Sequence, residues 1–380
     1  QRRFRYLPDT EGSTRWDVPL IIRGISTAGG NPIRALMTDA STTVELPDPE
    51  MPIVANAGGH GFYRVRYSRE LLDRLTPRLQ ELSGIERFNL LSDTWAATVA
   101  GMGPLADALS LISKLDSERD RNVWRTVLDI FGYLNRCIEP AQRPALQAMV
   151  RALTQPALAD IGWAPQTGES EDISQLRATL VRGLAVQGDD AAAQAEANAQ
   201  FQRYLANPTS VDPNLVPALI GIAAHTGDTA EYDRMVDRHA KARTPHEEQR
   251  FLFARSEFRQ AGLLQRTLED CLTDAVRTQD APYLISSVMM NLEGAELTWN
   301  FVKTNWEAIN RRYPANTIPR MSAAITALVR RDLYEDAKAF YQANPVPQAG
   351  KMIDQYLERL LVAVTFRERE TAALAEAFRG

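Results

Sequence analysis

Cysteine and histidine are scarce in this 380-residue chain, which has two cysteines and four histidines. Two cysteines cannot build a disulfide framework, so Cys137 and Cys271 are predicted to be buried thiols. Long apolar runs are also missing: LVPALIGIAA at 215–224 is half of the roughly 20 residues that a membrane-spanning helix needs. The formal net charge of -5 provides no basic stripe. We therefore expect neither a membrane segment in this chain nor a nucleic-acid partner.

The first 67 residues have the composition of β-strands. With 44% hydrophobic and 24% charged residues, the whole chain is typical of a globular protein. Short aromatic and β-branched runs, separated by Gly, Pro, Asp and Ser, predict strands. These runs are RRFRY at 2–6, DVPLII at 17–22, TTVEL at 42–46 and GFYRVRY at 61–67. Four or five strands are few for a complete sandwich, so residues 1–67 are predicted to be an incomplete β-sandwich domain.

Residues 68–380 have helical periodicity, with apolar residues on one face and charged residues on the other. Gly188 is predicted to end one helix in the left-handed conformation, with Asp189 or Asp190 capping the next. Gly227 and Asp228 repeat this arrangement 39 residues later. That spacing is near the period of two-helix repeats, so the sequence predicts a mainly α fold, a HEAT- or armadillo-like α-solenoid.

The stretch TPHEEQR at 244–250 contains a His-Glu pair like that of the zinc-protease motif. A zinc-protease helix needs a second histidine four residues after the first, but Arg250 stands there. Thr244, Pro245 and Glu247 instead fit a capping box, in which the N-cap oxygen and the third carboxylate satisfy backbone N–H groups. The same formula occurs at Asp228 with Glu231 and at Asp332 with Glu335. His246 is therefore interpreted as a residue at the start of a helix.

The remaining candidate groups form no catalytic or metal-ligating constellation. His60, His225 and His239 have no partner at metal-ligand spacing, and His225 is predicted to be a core or helix-end residue. No nucleophile elbow or phosphate loop occurs. NAGGHGF at 56–62 precedes a predicted strand, so it is interpreted as a tight β connection. Consequently no catalytic, cofactor-binding or metal residue is assigned, and the peptide-binding residues remain unknown.

Five segments in order resemble the non-catalytic C-terminal region of the gluzincin zinc aminopeptidases, the family of aminopeptidase N and the endoplasmic-reticulum aminopeptidases. NAGGHGFYRVRYSRELLDRL at 56–75 resembles the end of the family's small sandwich and its first C-terminal helix. The densest match is at 276–309, with Gln279-Asp280, Asn291, Gly294 and a Trp-x-Phe-x-Lys-x-Asn-Trp pattern. Further similar segments are 1–4 with 15–20, 86–101 and 161–177. Trp299, Lys303 and Trp306 share one helical side, and the tryptophans are predicted to be packing anchors.

The resemblance implies that residues 68–380 form the helical bowl that closes over a separate catalytic domain of the same polypeptide. There it forms a chamber wall that gates peptide access and selects length. The family's zinc ligands and catalytic residues belong upstream and are absent, so this chain is not catalytic on its own. Zinc is implied for the missing catalytic domain, which would hydrolyse N-terminal peptide bonds. The implied partners are that domain and peptide substrates.

Two alternatives stay open. A stand-alone helical-repeat scaffold would bind a peptide or protein partner through the same concave surface. An independent hydrolase with a site assembled from scattered residues would show turnover by the isolated chain. The alanine- and arginine-rich composition indicates a bacterial source, and a cytoplasmic location is expected over a periplasmic or secreted one.

Overall fold

In the computed structural model, which describes residues 1–7, 14–25 and 31–379, the chain is mainly α-helical with a small sheet near its start. This confirms the predicted fold class. The strands of the described ranges are β1 Val18–Gly24, β2 Ile33–Met37 and β3 Ile53–Val54. The α-helices are α1 Arg69–Leu75, α2 Gly84–Val99, α3 Leu105–Ile112, α4 Arg121–Cys137, α5 Arg143–Ile161, α6 Glu171–Arg182, α7 Ala191–Ala206, α8 Val216–Thr226, α9 Thr229–Ala240, α10 Pro245–Ala254, α11 Ala261–Cys271, α12 Ala281–Met290, α13 Ala295–Thr304, α14 Trp306–Arg312, α15 Ile318–Ser322, α16 Arg331–Ala343 and α17 Met352–Ala377.

The chain divides into two compact units. One comprises residues 1–131 and 370–379, and the other comprises residues 132–369. The first unit contains the sheet, the helices α1 to α3 and most of α4. These helices therefore belong to the same unit as the strands. The domain boundary at residue 67 stays a prediction. None of the described helices combines the length and apolar composition required to cross a bilayer.

The sheet has three antiparallel strands in the order β2–β1–β3. β1 confirms the strand predicted at 17–22, and its Val18 stands opposite Met37 of β2. The strands predicted at 2–6, 42–46 and 61–67 are wrong, because none of these segments joins a ladder in the described residues. β2 and β3 were not predicted, since their residues lack a clear period of two.

Side chains replace the expected strand partner of segment 61–67. The N–H of Val65 donates to Asp93 Oδ2 of α2 at 2.9 Å. The hydroxyl of Tyr67 accepts from the N–H of Ala55 at 3.0 Å, and the hydroxyl of Tyr63 donates to the Ala55 carbonyl at 3.2 Å. The alternation was therefore real, but the Val65 N–H is satisfied by a carboxylate, and the two phenols of the segment satisfy the backbone of Ala55.

The glycine-rich stretch at 56–61 forms a 3-10 turn, Ala57–Gly59, instead of the predicted tight β connection. Asn56 closes the loop, because its side chain accepts from the N–H of Gly61 at 2.8 Å and donates to the Gly61 carbonyl at 3.0 Å. Gly58 has a φ of 71°, which explains why a glycine stands there. Glu86 Oε1 accepts from the Gly58 N–H at 3.0 Å and so anchors the turn to α2.

The second unit contains helices that pack in pairs, α7 with α8, α9 with α10 and α12 with α13. Within it, α6, α8, α10 and α12 also contact one another in succession. Each of these four helices buries apolar side chains, among them Leu176, Leu219, Phe251 and Leu284. The repeated pairing is what a helical-repeat protein requires, but the assignment as a HEAT-like solenoid stays a prediction.

The predicted N-caps Asp190 and Asp228 are confirmed. Asp190 Oδ1 accepts from the N–H of Ala193, and Asp228 Oδ1 accepts from the N–H groups of Ala230 and Glu231. Gly188, however, has a φ of -78°, and Asp189 takes the positive φ of 47° in its place. The predicted left-handed Gly188 is therefore wrong. The same prediction for Gly227 is also wrong, because its φ is -77°.

The capping box predicted at Asp332 is also wrong. Helix α16 begins at Arg331, and its N-cap is Arg330, so Asp332 lies inside the first turn. Its Oδ1 accepts from the Arg330 guanidinium at 3.0 Å instead of capping the backbone. The ion pair with a neighbouring arginine displaced the expected cap.

Trp299 and Trp306 anchor an aromatic cluster, as predicted. Trp299 is fully buried, and both indoles make edge-to-face contacts with Phe340 of α16, with ring centroids 5.1 and 5.2 Å apart. Lys303 does not extend its charge freely to solvent. Its Nζ lies 2.6 Å from Asp336 Oδ2, which also accepts from Trp299 Nε1 at 2.6 Å. The cluster thus fixes α13 and α14 to α16.

Candidate functional site

A cavity of about 890 Å³ lies within the second unit and is lined by side chains of α4, α5, α6, α8, α10 and α12. Its wall therefore comes from the succession of helices that contact one another, together with the ends of α4 and α5. The volume lies in the range of roughly 300–1,000 Å³ typical of ligand sites. The lining is strongly polar, with five arginines, three carboxylates and one histidine.

Three ion pairs connect elements across the wall. Arg182 of α6 donates to Glu257 Oε1 at 2.8 Å, just beyond the end of α10. Arg143 of α5 lies 3.3 Å from Glu293 Oε1, after α12, and Arg259 lies 3.9 Å from Asp189 Oδ1. These pairs are partly exposed, so solvent screens them and each contributes little to stability. Their effect is to fix the positions of charged groups on the cavity surface.

Gly221 and His225 are one turn apart on α8 and both line the cavity. At Gly221 a β-carbon would meet Arg182 Nη1, so the glycine lets that guanidinium lie directly on the helix. His225 follows near the helix end, as predicted. Burial lowers the pKa of His225 below its ordinary value, and the Arg259 charge lowers it further.

The two remaining arginines have no carboxylate partner among the described residues. Arg136, near the end of α4, donates to the Met290 carbonyl, and burial lowers the pKa of its guanidinium. Arg250 lies on α10, and its charge acts on Tyr204, whose pKa is raised chiefly by burial. Two positive charges of the wall thus remain uncompensated.

Arg250 belongs to the TPHEEQR stretch, whose His-Glu pair resembles part of the zinc-protease motif. Thr244 caps α10, because its hydroxyl accepts from the Glu247 N–H at 3.2 Å, while Glu247 Oε2 accepts from the Arg243 N–H at 3.0 Å. The carboxylate thus reaches one residue further back than the predicted box. His246 is exposed in the first turn, as predicted. The helix contributes a cation to the cavity and no metal ligand.

The other candidates lie outside the cavity. Cys137 and Cys271 are buried free thiols, as predicted, and burial raises the pKa of each to about 12. Such thiols are inert at neutral pH. Among the described residues, no three His, Cys, Asp or Glu side chains are grouped to hold a metal.

The sequence reading missed every arginine of the cavity. The signal that could have found Arg250 was spacing, since Arg250, Phe253, Ala254 and Glu257 recur at helical intervals. Spacing alone could not identify a cavity residue, because the packing of the helix pairs decides which helix faces point inward.

Comparison with known proteins agrees with this architecture. The family profile described as the ERAP1-like C-terminal domain matches residues 52–361. Aminopeptidase M1 of Arabidopsis thaliana is 27% identical over 330 residues, which cover 83% of this chain and 37% of that protein. Aminopeptidase 2, mitochondrial, of Saccharomyces cerevisiae is 24% identical over 376 residues, covering 96% of this chain and 39% of that protein.

Glutamyl aminopeptidase of Bos taurus is 25% identical over 312 residues, which cover 78% of this chain and 32% of that protein. The chain therefore spans about a third of the length of these relatives. Because the profile matches most of the chain, the resemblance drawn from its motifs is confirmed. The chain belongs to the family of ERAP1-like C-terminal domains, the C-terminal region of aminopeptidases.

Proposed function

We propose that this chain is the C-terminal region of a zinc-dependent aminopeptidase and that its cavity forms part of a peptide-binding chamber. The catalytic domain would lie in the preceding part of the same polypeptide. The relatives support this, since each is an aminopeptidase of which the chain covers 32–39%. The described residues do not fit a zinc site, so zinc is proposed for the catalytic domain.

The observation that carries the proposal is the charged lining of the cavity. A helical domain built for stability alone would fill the space between its helices with apolar side chains. Here the faces of α6, α8, α10 and α12 that line the cavity carry arginines, serines and an imidazole. Groups of this kind can hydrogen-bond to the backbone and charged groups of a peptide.

The proposed role is to admit, hold and select peptides. A chamber closed by this domain would exclude folded proteins, and contacts beyond the substrate N-terminus would favour peptides long enough to reach them. Closing would also remove water from the bound peptide, and opening would limit product release. The residues of this chain would contribute binding and positioning, not the bond-breaking step.

The first test is the size of the natural gene product, measured by immunoblot with an antibody against this chain. We expect a band far larger than 42.4 kDa. A band of 42.4 kDa would contradict the parent-enzyme proposal and favour the stand-alone scaffold.

A second test addresses the chamber in the full-length enzyme. Ser286 lines the cavity from α12, so Ser286→Trp should obstruct it, whereas Ser286→Ala serves as the matched control. We expect the tryptophan to lower kcat/KM for a long peptide and to leave hydrolysis of an aminoacyl p-nitroanilide unchanged. Equal effects on both substrates would contradict the role in peptide selection.

A further inference from the structure

We infer that His239, Glu248 and Arg277 form a pH-sensitive switch at the junction of α9, α10 and α12. In this switch, acid transfers the carboxylate of Glu248 from Arg277 to His239. The three residues belong to the second unit and lie outside the cavity lining. The switch concerns how helix pairs are held together, so it does not depend on the proposed peptide-binding role.

One carboxylate oxygen serves two basic side chains. Glu248 Oε1, in the first turn of α10, lies 3.3 Å from Arg277 Nη2 and 3.9 Å from His239 Nε2. His239 stands in the last turn of α9, which packs against α10. While the imidazole is neutral, the arginine holds the oxygen at the shorter distance. A protonated imidazole is a second cation that competes for the same atom.

Arg277 connects α10 to the start of α12. Its Nε donates to Asp280 Oδ2 at 2.8 Å, and Asp280 is the N-cap residue of α12. The amide of Gln249, on α10, donates to the other carboxylate oxygen of Asp280 at 3.1 Å. The Arg277 side chain is half exposed, so its guanidinium has room to leave Glu248. Its departure removes one of the two polar connections between α10 and the start of α12.

The charged groups that act on the His239 imidazole come from three places: Glu248 of α10, Arg255 just after α10, and Arg277 with Asp280 before α12. Burial lowers the pKa of His239, and the charges of Arg255 and Arg277 lower it further. On α9 itself, Asp237 and Lys241 pair with each other at 2.6 Å. Arg255 is held by its own ion pair with Asp270, which leaves Arg277 as the exposed cation that can respond to a proton.

Thermodynamic linkage turns these contacts into a switch. The charge of Arg277 disfavours a proton on His239, so the proton weakens the hold of Arg277 at Glu248 by the same free energy. Because the pKa of His239 is lowered, the imidazole is neutral at pH 7 and gains its charge below about 6.5. Neutral conditions therefore keep α10 connected to α12 through Arg277, and acid favours release of that connection.

The first test follows the imidazoles of the isotope-labelled 380-residue chain by NMR while the pH falls from about 8 to about 5. His239→Gln identifies the signal of His239 by its loss. Glu248→Gln should move the titration midpoint of His239 to lower pH, because the attracting charge is gone. Arg277→Gln should move it to higher pH, because the repelling charge is gone. Unchanged midpoints in both variants would overturn the inference.

The second test asks whether acid loosens the start of α12. The N–H groups of Ala281 and Leu284 donate to the carbonyls of Arg277 and Asp280, both at 3.0 Å, so their hydrogen exchange reports on this turn. After correction for intrinsic rates, we expect exchange to rise about two- to fivefold between pH of about 7.5 and about 5.5, as for the loss of one partly exposed ion pair. Arg277→Gln should show the raised exchange at both pH values.

His239→Gln should abolish the rise in exchange. The matched control is His246→Gln, which removes an exposed histidine in the first turn of α10 and should leave the rise unchanged. A rise of equal size in His239→Gln, or no rise in the parent chain, would overturn the switch.

Discussion

Arg182 lies directly against Gly221, with its Nη1 atom in the space that a β-carbon would occupy. The same guanidinium donates to Glu257 Oε1 at 2.8 Å. The absence of a side chain on α8 therefore sets the position of an ion pair that joins α6 to the segment after α10. A glycine inside a buried helix, which lowers helical propensity, is explained by this close approach.

Gly221→Ala should uncouple this ion pair with little change in stability. The alanine gains about 0.5–1 kcal/mol of helical propensity, and a partly exposed ion pair contributes only about 0–1 kcal/mol. The informative measurement is a double-mutant cycle with Glu257→Gln, followed by urea unfolding. Glu257→Gln should have a smaller effect in the Gly221→Ala background. An equal effect in both backgrounds would show that the glycine does not position Arg182.

Asp336→Leu should destabilise the aromatic cluster by about 1–2 kcal/mol, because it leaves the indole N–H of the buried Trp299 without its acceptor. Asp336→Asn is the control, since an amide oxygen still accepts from Trp299 Nε1 but has no charge for Lys303. We expect it to cost about half as much. Urea unfolding monitored by tryptophan fluorescence measures both. Equal costs would attribute the effect to the lost Lys303 charge pair instead.

The sequence predicted the class of the fold because its signals are local. Amphipathic periods, the Asp228 and Thr244 caps and the Trp299 anchor each depend on residues close in the chain, and the structure confirms them. The predicted strands were wrong where the hydrogen-bond partner of the backbone is distant in the sequence. Segment 61–67 has a strand pattern, but its Val65 N–H is satisfied by Asp93, a residue 28 positions away.

The residues of the candidate site could not be predicted from local sequence patterns, because their partners are distant in the chain. Arg136 and the Met290 carbonyl are 154 residues apart, and Arg143 and Glu293 are 150 apart. Nothing in either neighbourhood marks these residues as partners. The family resemblance did imply a peptide-binding surface, but which arginines line it became visible only from the packing of the helices.

His225→Gln should make stability less sensitive to acid. The pKa of His225 is lowered in the folded chain, so the unfolded chain binds a proton first as pH falls below about 6.5. Acidification through that window therefore favours unfolding, and removing the imidazole should flatten the dependence of Tm on pH between about 7 and about 5.5. His239 has a lowered pKa too, so part of the slope should remain.

His246→Gln is the control for this measurement, because His246 is exposed on the first turn of α10. Thermal unfolding at several pH values compares the two variants with the parent chain. If His225→Gln and His246→Gln have the same slope, the buried imidazole does not carry the pH dependence.

Arg177→Leu should cost about 3 kcal/mol or more, because this fully buried arginine fixes a loop to α6. Its guanidinium donates to the Gly162 carbonyl at 2.8 Å and to both carboxylate oxygens of Glu169 at 2.7 and 2.6 Å. Urea unfolding gives the cost, and limited proteolysis should show faster cleavage between residues 162 and 170.

The matched control is Arg203→Leu, which removes an exposed partner of Glu196. Its effect should stay within about 1 kcal/mol, as for other surface ion pairs. Comparable losses in the two variants would mean that burial of Arg177 is not what makes its contacts important.

The most direct test of the central claim is photo-crosslinking of the 380-residue chain to a peptide carrying benzoylphenylalanine at a distal position, with the labelled residues identified by mass spectrometry. We expect labels on the cavity-lining residues of α6, α8, α10 and α12, and we expect excess unlabelled peptide to compete with them. Labels confined to other surfaces, or labels that excess peptide does not displace, would contradict the claim that this cavity is a peptide-binding wall.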